Sequence, residues 1–131
     1  MKLLALETST EYCSVALYQD GAVSERFELV GQKHSEFLID MVTAVLRDAN
    51  LNLSALDGLA YGAGPGSFTG VRIACGTTQG LALGADLPVF GVCTLQALAQ
   101  ASGYTRVSAA LDARMGEIYH AVYELQHGEW L

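Results

Sequence analysis

The chain has 131 residues, 51% hydrophobic and only 16% charged, with a formal net charge of −7. This length allows one domain-sized core, and the acidic balance with scattered basic residues excludes a chain that grips nucleic acid by itself. Cys13, Cys75 and Cys93 are widely spaced and form no CxxC pair, so neither a disulfide framework nor a zinc site is signalled and buried free thiols are expected.

The opening "MKLLALETST" is too short for the apolar core of a signal peptide, roughly 7–15 residues. No run approaches the ~18 apolar residues of a membrane span, and a cytoplasmic protein is expected. Short β-rich runs then predict strands near 2–8, 11–19 and 22–30. Asp20-Gly21 between the second and third is a hairpin signal. The three strands form the start of an antiparallel meander.

"HSEFLIDMVTAVLRDAN" predicts a helix. At ~100° per residue Glu36, Asp40, Thr43, Arg47 and Asn50 share one polar stripe. Apolar residues fill an arc of roughly 220°, about twice the stripe a surface helix needs. "LDGLAYGA" reads as a fourth strand, followed by a turn at Gly64-Pro65-Gly66 and a second helix over 68–85 with Ser67 as N-cap. That helix holds one charge, Arg72, and a four-residue repeat of Gly76, Gly80 and Gly84. Each interior glycine costs roughly 1 kcal/mol against alanine, and close approach of another helix would offset it. "PVFGVC" predicts a fifth strand, and "TLQALAQAS" a third helix capped by Thr94. "RVSAALDA" and "EIYHAVYEL" predict two further strands. The order implies an α/β domain over 1–102, with a five-stranded mixed sheet and helices on both faces. A second unit begins in 103–131.

"GPGSFTGVR" decides between two readings. It lacks the lysine of a Walker A loop, and Thr69 stands where GxGxxG needs its third glycine. A helix N-terminus can still hold an anion. The competing reading is a tight turn that swings the chain into a buried helix. His34 has Leu38, not a second histidine, four residues on, and His120 and His127 have no carboxylate at metal spacing, so no metal site is expected. Glu7 and Asp112 each end a strand without forming an acidic cluster, and surface or capping roles are expected. Ser67 lies in no nucleophile elbow, and Cys13 reads as core.

Four segments together, "LLALETST", "KHSEFL", "GAGPGSFTGVRI" and "LDARMGEIY", resemble the TsaB (YeaZ) family of bacterial tRNA threonylcarbamoyladenosine biosynthesis proteins, once grouped as glycoprotease-like. The likeness covers nearly the whole chain, and "GPGSFTGVRI" and "DARMGEIY" are its most specific parts. It implies the actin-like ATPase fold, two lobes of RNase H-like topology, with the second lobe truncated after its first hairpin. It also implies a non-catalytic relative of TsaD. Such a subunit supports TsaD, with the ATPase TsaE, in placing a threonylcarbamoyl group on the adenosine beside the anticodon. On this resemblance the chain binds no cofactor of its own, ATP is used by the wider complex, and tRNA is met only through that complex. The place matching the H-x-x-x-H metal motif of TsaD holds His34 and Leu38.

The resemblance further implies a helix bundle with a partner, either TsaD or a second copy. Phe37, Leu38, Met41, Val42 and Val45 would serve it from the first helix. Ile73, Gly76, Gly80, Leu81, Leu83 and Gly84 would serve it from the second. Two alternatives stay open. One is a phosphotransferase of the actin-like class, with Thr8, Ser9, Gly66 and Ser67 facing a nucleotide phosphate. The other is a hydrolase, for which the sequence shows no nucleophile and base within reach.

Overall fold

Alternating burial along the first two strands sets the architecture. Leu4 and Leu6 in β1 (Lys2–Glu7) and Cys13, Val15 and Leu17 in β2 (Tyr12–Gln19) are buried, and their neighbours in the chain are less so. The structure is a computed structural model that describes residues 1–131, except the side chain of Arg114. β3 (Ala22–Leu29) follows a two-residue turn in which Asp20 and Gly21 both take positive φ, 51° and 92°. Both central residues of a type I′ turn need that conformation. α1 (His34–Asp48), β4 (Gly58–Gly62), α2 (Phe68–Ala85), β5 (Val89–Val92) and α3 (Thr94–Ser102) come next. β6 (Arg106–Arg114), β7 (Glu117–Gln126) and β8 (Glu129–Trp130) form a second sheet.

The first sheet has the order β3-β2-β1-β4-β5. β1, β2 and β3 pair antiparallel, while β1–β4 and β4–β5 are parallel. This mixed sheet with its helices is the expected α/β architecture. The core lies on one face, where Leu4, Leu6, Val15, Leu17 and Leu59 meet Leu38, Met41, Val42, Val45 and Leu46 of α1 and Ala82 of α2.

Three details differ from the sequence reading. The pattern points to helices on both faces, but α1 and α2 share one face, and α3 packs chiefly on β6 and β7. The opposite face keeps Tyr12, Tyr18, Phe27 and Phe90 substantially exposed. Cys93, not Thr94, occupies the N-cap position of α3. The Thr94 amide is already held by the Gly64 carbonyl at 2.8 Å, so the extended capping residue is the one before it. β8, two residues long, and a 3-10 turn at Leu53–Ala55 are too short to leave a periodic signal.

Candidate functional site

The segment 64–70 is strapped to the end of β1. The Ser67 amide donates to the Ser9 carbonyl at 2.7 Å, and the Thr8 hydroxyl donates to the Gly70 carbonyl. Ser67 Oγ accepts from the Gly70 amide at 3.3 Å, which is the expected N-cap contact. The Ser9 amide donates to Glu7 Oε1 at 2.7 Å, so Glu7 caps the turn that follows its strand. A Cβ on Gly62 would overlap the Glu7 carboxylate, one on Gly66 would overlap Ser9, and one on Gly70 would overlap the Thr8 carbonyl oxygen. The glycines at 62, 66 and 70 therefore permit two backbone segments to touch.

Thr8, Ser9, Gly66 and Ser67 are thus brought together, but their groups are largely turned on one another. Ser9 Oγ is the exception, since it is buried with no hydrogen-bond partner. It lies beside a cavity of about 530 Å³ that Thr10, Glu11, Gly66, Ser67, Leu111 and Asp112 complete. The strap is pinned from α1 as well. His34 is buried, and its Nε2 lies 2.6 Å from the Thr10 carbonyl and 3.1 Å from that of Tyr12. Both are acceptors, so Nε2 carries the hydrogen. Among the described residues no group of three His, Cys, Asp or Glu side chains stands close enough to hold a metal ion.

The surface of α1 and α2 is the second candidate. The expected polar stripe of α1, from Glu36 to Asn50, is exposed. The reading that α1 has a spare apolar face needs correction. Leu38, Met41, Val42 and Val45 are buried in the chain's own core, because the sheet and α2 together cover more of the helix than a sheet alone. Phe37 and Ile39 are what remains outside, 42% and 49% exposed. α2 does the reverse. Its buried residues are Gly70, Ala74, Thr78 and Ala82, while Leu83 is 87% exposed and Phe68 75%. Ile73 and Leu81 are half-buried, and Gly76, Gly80 and Gly84 are exposed. A Cβ on any of these three glycines would meet nothing within 4 Å.

Two arrangements had no sequence signal. Ser108 Oγ and His120 Nε2 lie 2.6 Å apart across β6 and β7, so a nucleophile and a base do come within reach. Both are exposed, and neither borders a described cavity. Diagonal neighbours across a hairpin become visible only once the register is known. Cys93 Sγ lies 3.4 Å from Tyr123 Oη. Burial pushes this thiol up, but the Tyr123 hydroxyl and the Gln96 and Leu95 amides outweigh it and hold the thiol below its ordinary range.

Residues 25–130 match the family model described as TsaD, tRNA N6-adenosine threonylcarbamoyltransferase. The chain is 51% identical to the tRNA threonylcarbamoyladenosine biosynthesis protein TsaB of Escherichia coli K12, over 99% of this chain and 58% of that protein. It is 48% identical to the protein of the same name from Haemophilus influenzae, over 91% of this chain and 52% of that protein. Among solved structures, YeaZ from Pseudomonas aeruginosa superposes with a TM-score of 0.92 at 48% identity, covering 99% of this chain and 63% of that one. The chain therefore spans between half and two thirds of the length of these relatives.

Proposed function

The chain belongs to the TsaD family in its TsaB branch, and we propose that it is a non-catalytic docking subunit of the machinery that threonylcarbamoylates tRNA. The open face of α2 carries this reading. A helix that turns Leu83 and Phe68 to solvent and leaves three glycines without neighbours gains nothing within its own fold. Another helix laid along that ridge would approach to the short end of the ~8–10 Å interaxial range. TsaD, with TsaE as the ATPase, is the partner this family relationship suggests. Residues 1–102 are taken as the first actin-like lobe and 103–131 as the opening of the second. On this reading the chain's contribution to the reaction is positional.

Reconstitution tests this. TsaD, TsaE, tRNA, ATP and the threonylcarbamoyl precursors are assayed with no chain, with native chain and with Gly80→Leu. Native chain is expected to raise transfer, and folded Gly80→Leu to raise it less. The chain without TsaD is expected to transfer nothing. Equal stimulation by both forms would remove the α2 face from the function.

A second reading has one observation behind it, the unpartnered Ser9 hydroxyl beside the cavity with Gly66 and Ser67. It is a nucleotide phosphate at the N-terminus of α2. Calorimetric titration with ATP separates the two, since Ser9→Ala would abolish binding on this reading and leave the docking reading untouched.

A further inference from the structure

We propose that the cleft between the first turn of α2 and β6 binds a free α-amino acid with a short side chain. Its carboxylate lies on the Phe68 and Thr69 amides, its ammonium against the Glu11 carboxylate, and the Ser9 hydroxyl between the two. This is independent of the docking face of α2. It concerns the cavity in which the nucleotide reading puts a phosphate, and gives that cavity a different chemistry.

Three poles make the site. The first is positive. Ser67 Oγ takes the Gly70 amide, and the Ser67 carbonyl takes that of Val71. The Phe68 and Thr69 amides are left without an acceptor among the described residues. At the start of an 18-residue helix they attract an anion. The second pole is negative. Glu11 is exposed, and its carboxylate has no ion-pair or hydrogen-bond partner among the described residues. The third is neutral. Ser9 is 3% exposed, and its Oγ has no partner. A Cβ placed on Gly66 would stand 3.2 Å from that oxygen, so the hydroxyl faces the turn that opens α2. A buried hydroxyl left unpaired is costly, and a polar ligand would satisfy it.

The poles belong to one cleft. Ser9 and Glu11 line the cavity of about 530 Å³ described above, together with Gly66, Ser67 and Asp112. A second cavity, of about 370 Å³, shares Gly66, Ser67 and Asp112 with it and reaches Phe68 and Thr69. Charge then selects the ligand. Among the described residues no lysine or arginine lines either cavity, whereas the acids Glu11 and Asp112 do. A phosphate group carries about 1.5–2 negative charges and would meet these acids with no cationic side chain to offset them. An amino acid brings one carboxylate and its own ammonium. It is neutral as a whole, and each end meets a group of the opposite sign. Leu111 offers an apolar wall to a short side chain.

NMR titration of the isotope-labelled chain tests this, read at the backbone amides of Glu11, Ser67 and Thr69. L-alanine is the probe. Propionate and ethylamine are the halves that each keep one of its charges, and inorganic phosphate, ATP with magnesium and magnesium alone are the rivals. L-alanine is expected to bind about tenfold or more tightly than either half, since each half leaves one pole unpaired. Ser9→Ala removes a hydroxyl that has no partner in the free chain, so the variant is expected to fold and to bind L-alanine about tenfold more weakly. Glu11→Gln is expected to weaken L-alanine by a similar factor and to leave propionate bound as tightly or more tightly. Amides that do not move with L-alanine overturn the proposal, and so does propionate or ethylamine that binds as well as L-alanine. A folded Glu11→Gln that binds L-alanine as the native chain does also overturns it. Phosphate, ATP or magnesium that moves these amides at lower concentration than L-alanine would overturn the amino acid as ligand, phosphate or ATP in favour of the nucleotide reading. The comparison of L-alanine with its halves is made on the native chain and does not depend on the folding of a variant. None of these results bears on the α2 face, which Gly80→Leu tests separately.

Discussion

α1 and α2 lie side by side on one sheet face, yet they bury opposite kinds of residue. α1 turns Leu38, Met41, Val42, Val45 and Leu46 inward and keeps Glu36, Asp40, Thr43 and Arg47 in solvent. α2 turns Gly70, Ala74, Thr78 and Ala82 inward and keeps Phe68, Arg72 and Leu83 outside. The reason lies at the strap. Gly70 touches the Thr8 backbone, so the helix sits too close to the end of β1 for large side chains to fit beneath its first turns. Phe68 and Leu83 are left for the outer surface, while Ile73 and Leu81 stay half-buried against the edge of the core. Apolar content therefore says how much surface must be covered, and the position of the small residues says which side is already full.

The comparison breaks most severely if Leu38 is not a core residue. Leu38→Ala is expected to cost about 2–5 kcal/mol of stability, as cavity formation at a fully buried leucine does. Urea unfolding measures it, and a loss below about 1 kcal/mol would mean that α1 does not bury this face. The contrast is next sharpened within α2 itself. Gly70→Ala places a methyl group against the Thr8 carbonyl and is expected to cost about 1–3 kcal/mol through overpacking. Gly76→Ala meets nothing, and is expected to stabilise the unassociated chain by up to about 1 kcal/mol through helix propensity. Thermal melts of the two variants at a concentration where the chain is monomeric should move in opposite directions. Shifts of the same sign would show that the two edges of α2 do not differ as described.

Loss of the cap is smaller. Ser67→Ala removes the acceptor for the Gly70 amide and is expected to cost about 1 kcal/mol. The smallest effect belongs to the outer edge of α1, where Asp48 accepts from Arg26 of β3 at 2.7 Å. That hydrogen bond holds the Asp48 carboxyl below its ordinary range. A carboxyl depressed on folding contributes stability above its unfolded value, near 3.9, and loses it as pH falls through the lower folded value. NMR titration of Asp48 should show the depression in the native chain and a return towards the ordinary value in Arg26→Ala. An unchanged titration would place the cause elsewhere.

Much of this was legible in the sequence, for physical reasons that differ from place to place. The β2–β3 hairpin was visible because Asp20-Gly21 supplies two residues able to take positive φ. The polar stripe of α1 was visible because charges stay in water. The tight-turn reading of residues 64–70 follows from glycine and proline, but the partners of those glycines do not. Glu7, Thr8 and Ser9 lie more than fifty residues away, and only the parallel pairing of β1 with β4 brings them near. The spare apolar arc of α1 was overestimated because a helical wheel has no neighbouring helix in it. The Ser108–His120 contact was invisible because it depends on the register of β6 and β7.

The central claim is that the open face of α2 is a docking surface, and the size of one variant tests it most directly. Native chain and Gly80→Leu are each weighed by sedimentation equilibrium, alone and mixed with TsaD, after circular dichroism has shown both to be folded. The space beside position 80 is empty within this chain, so the variant is expected to fold. Native chain is expected to assemble in at least one of the two conditions, and Gly80→Leu to sediment as a monomer in both. A folded Gly80→Leu that assembles as the native chain does would contradict the account.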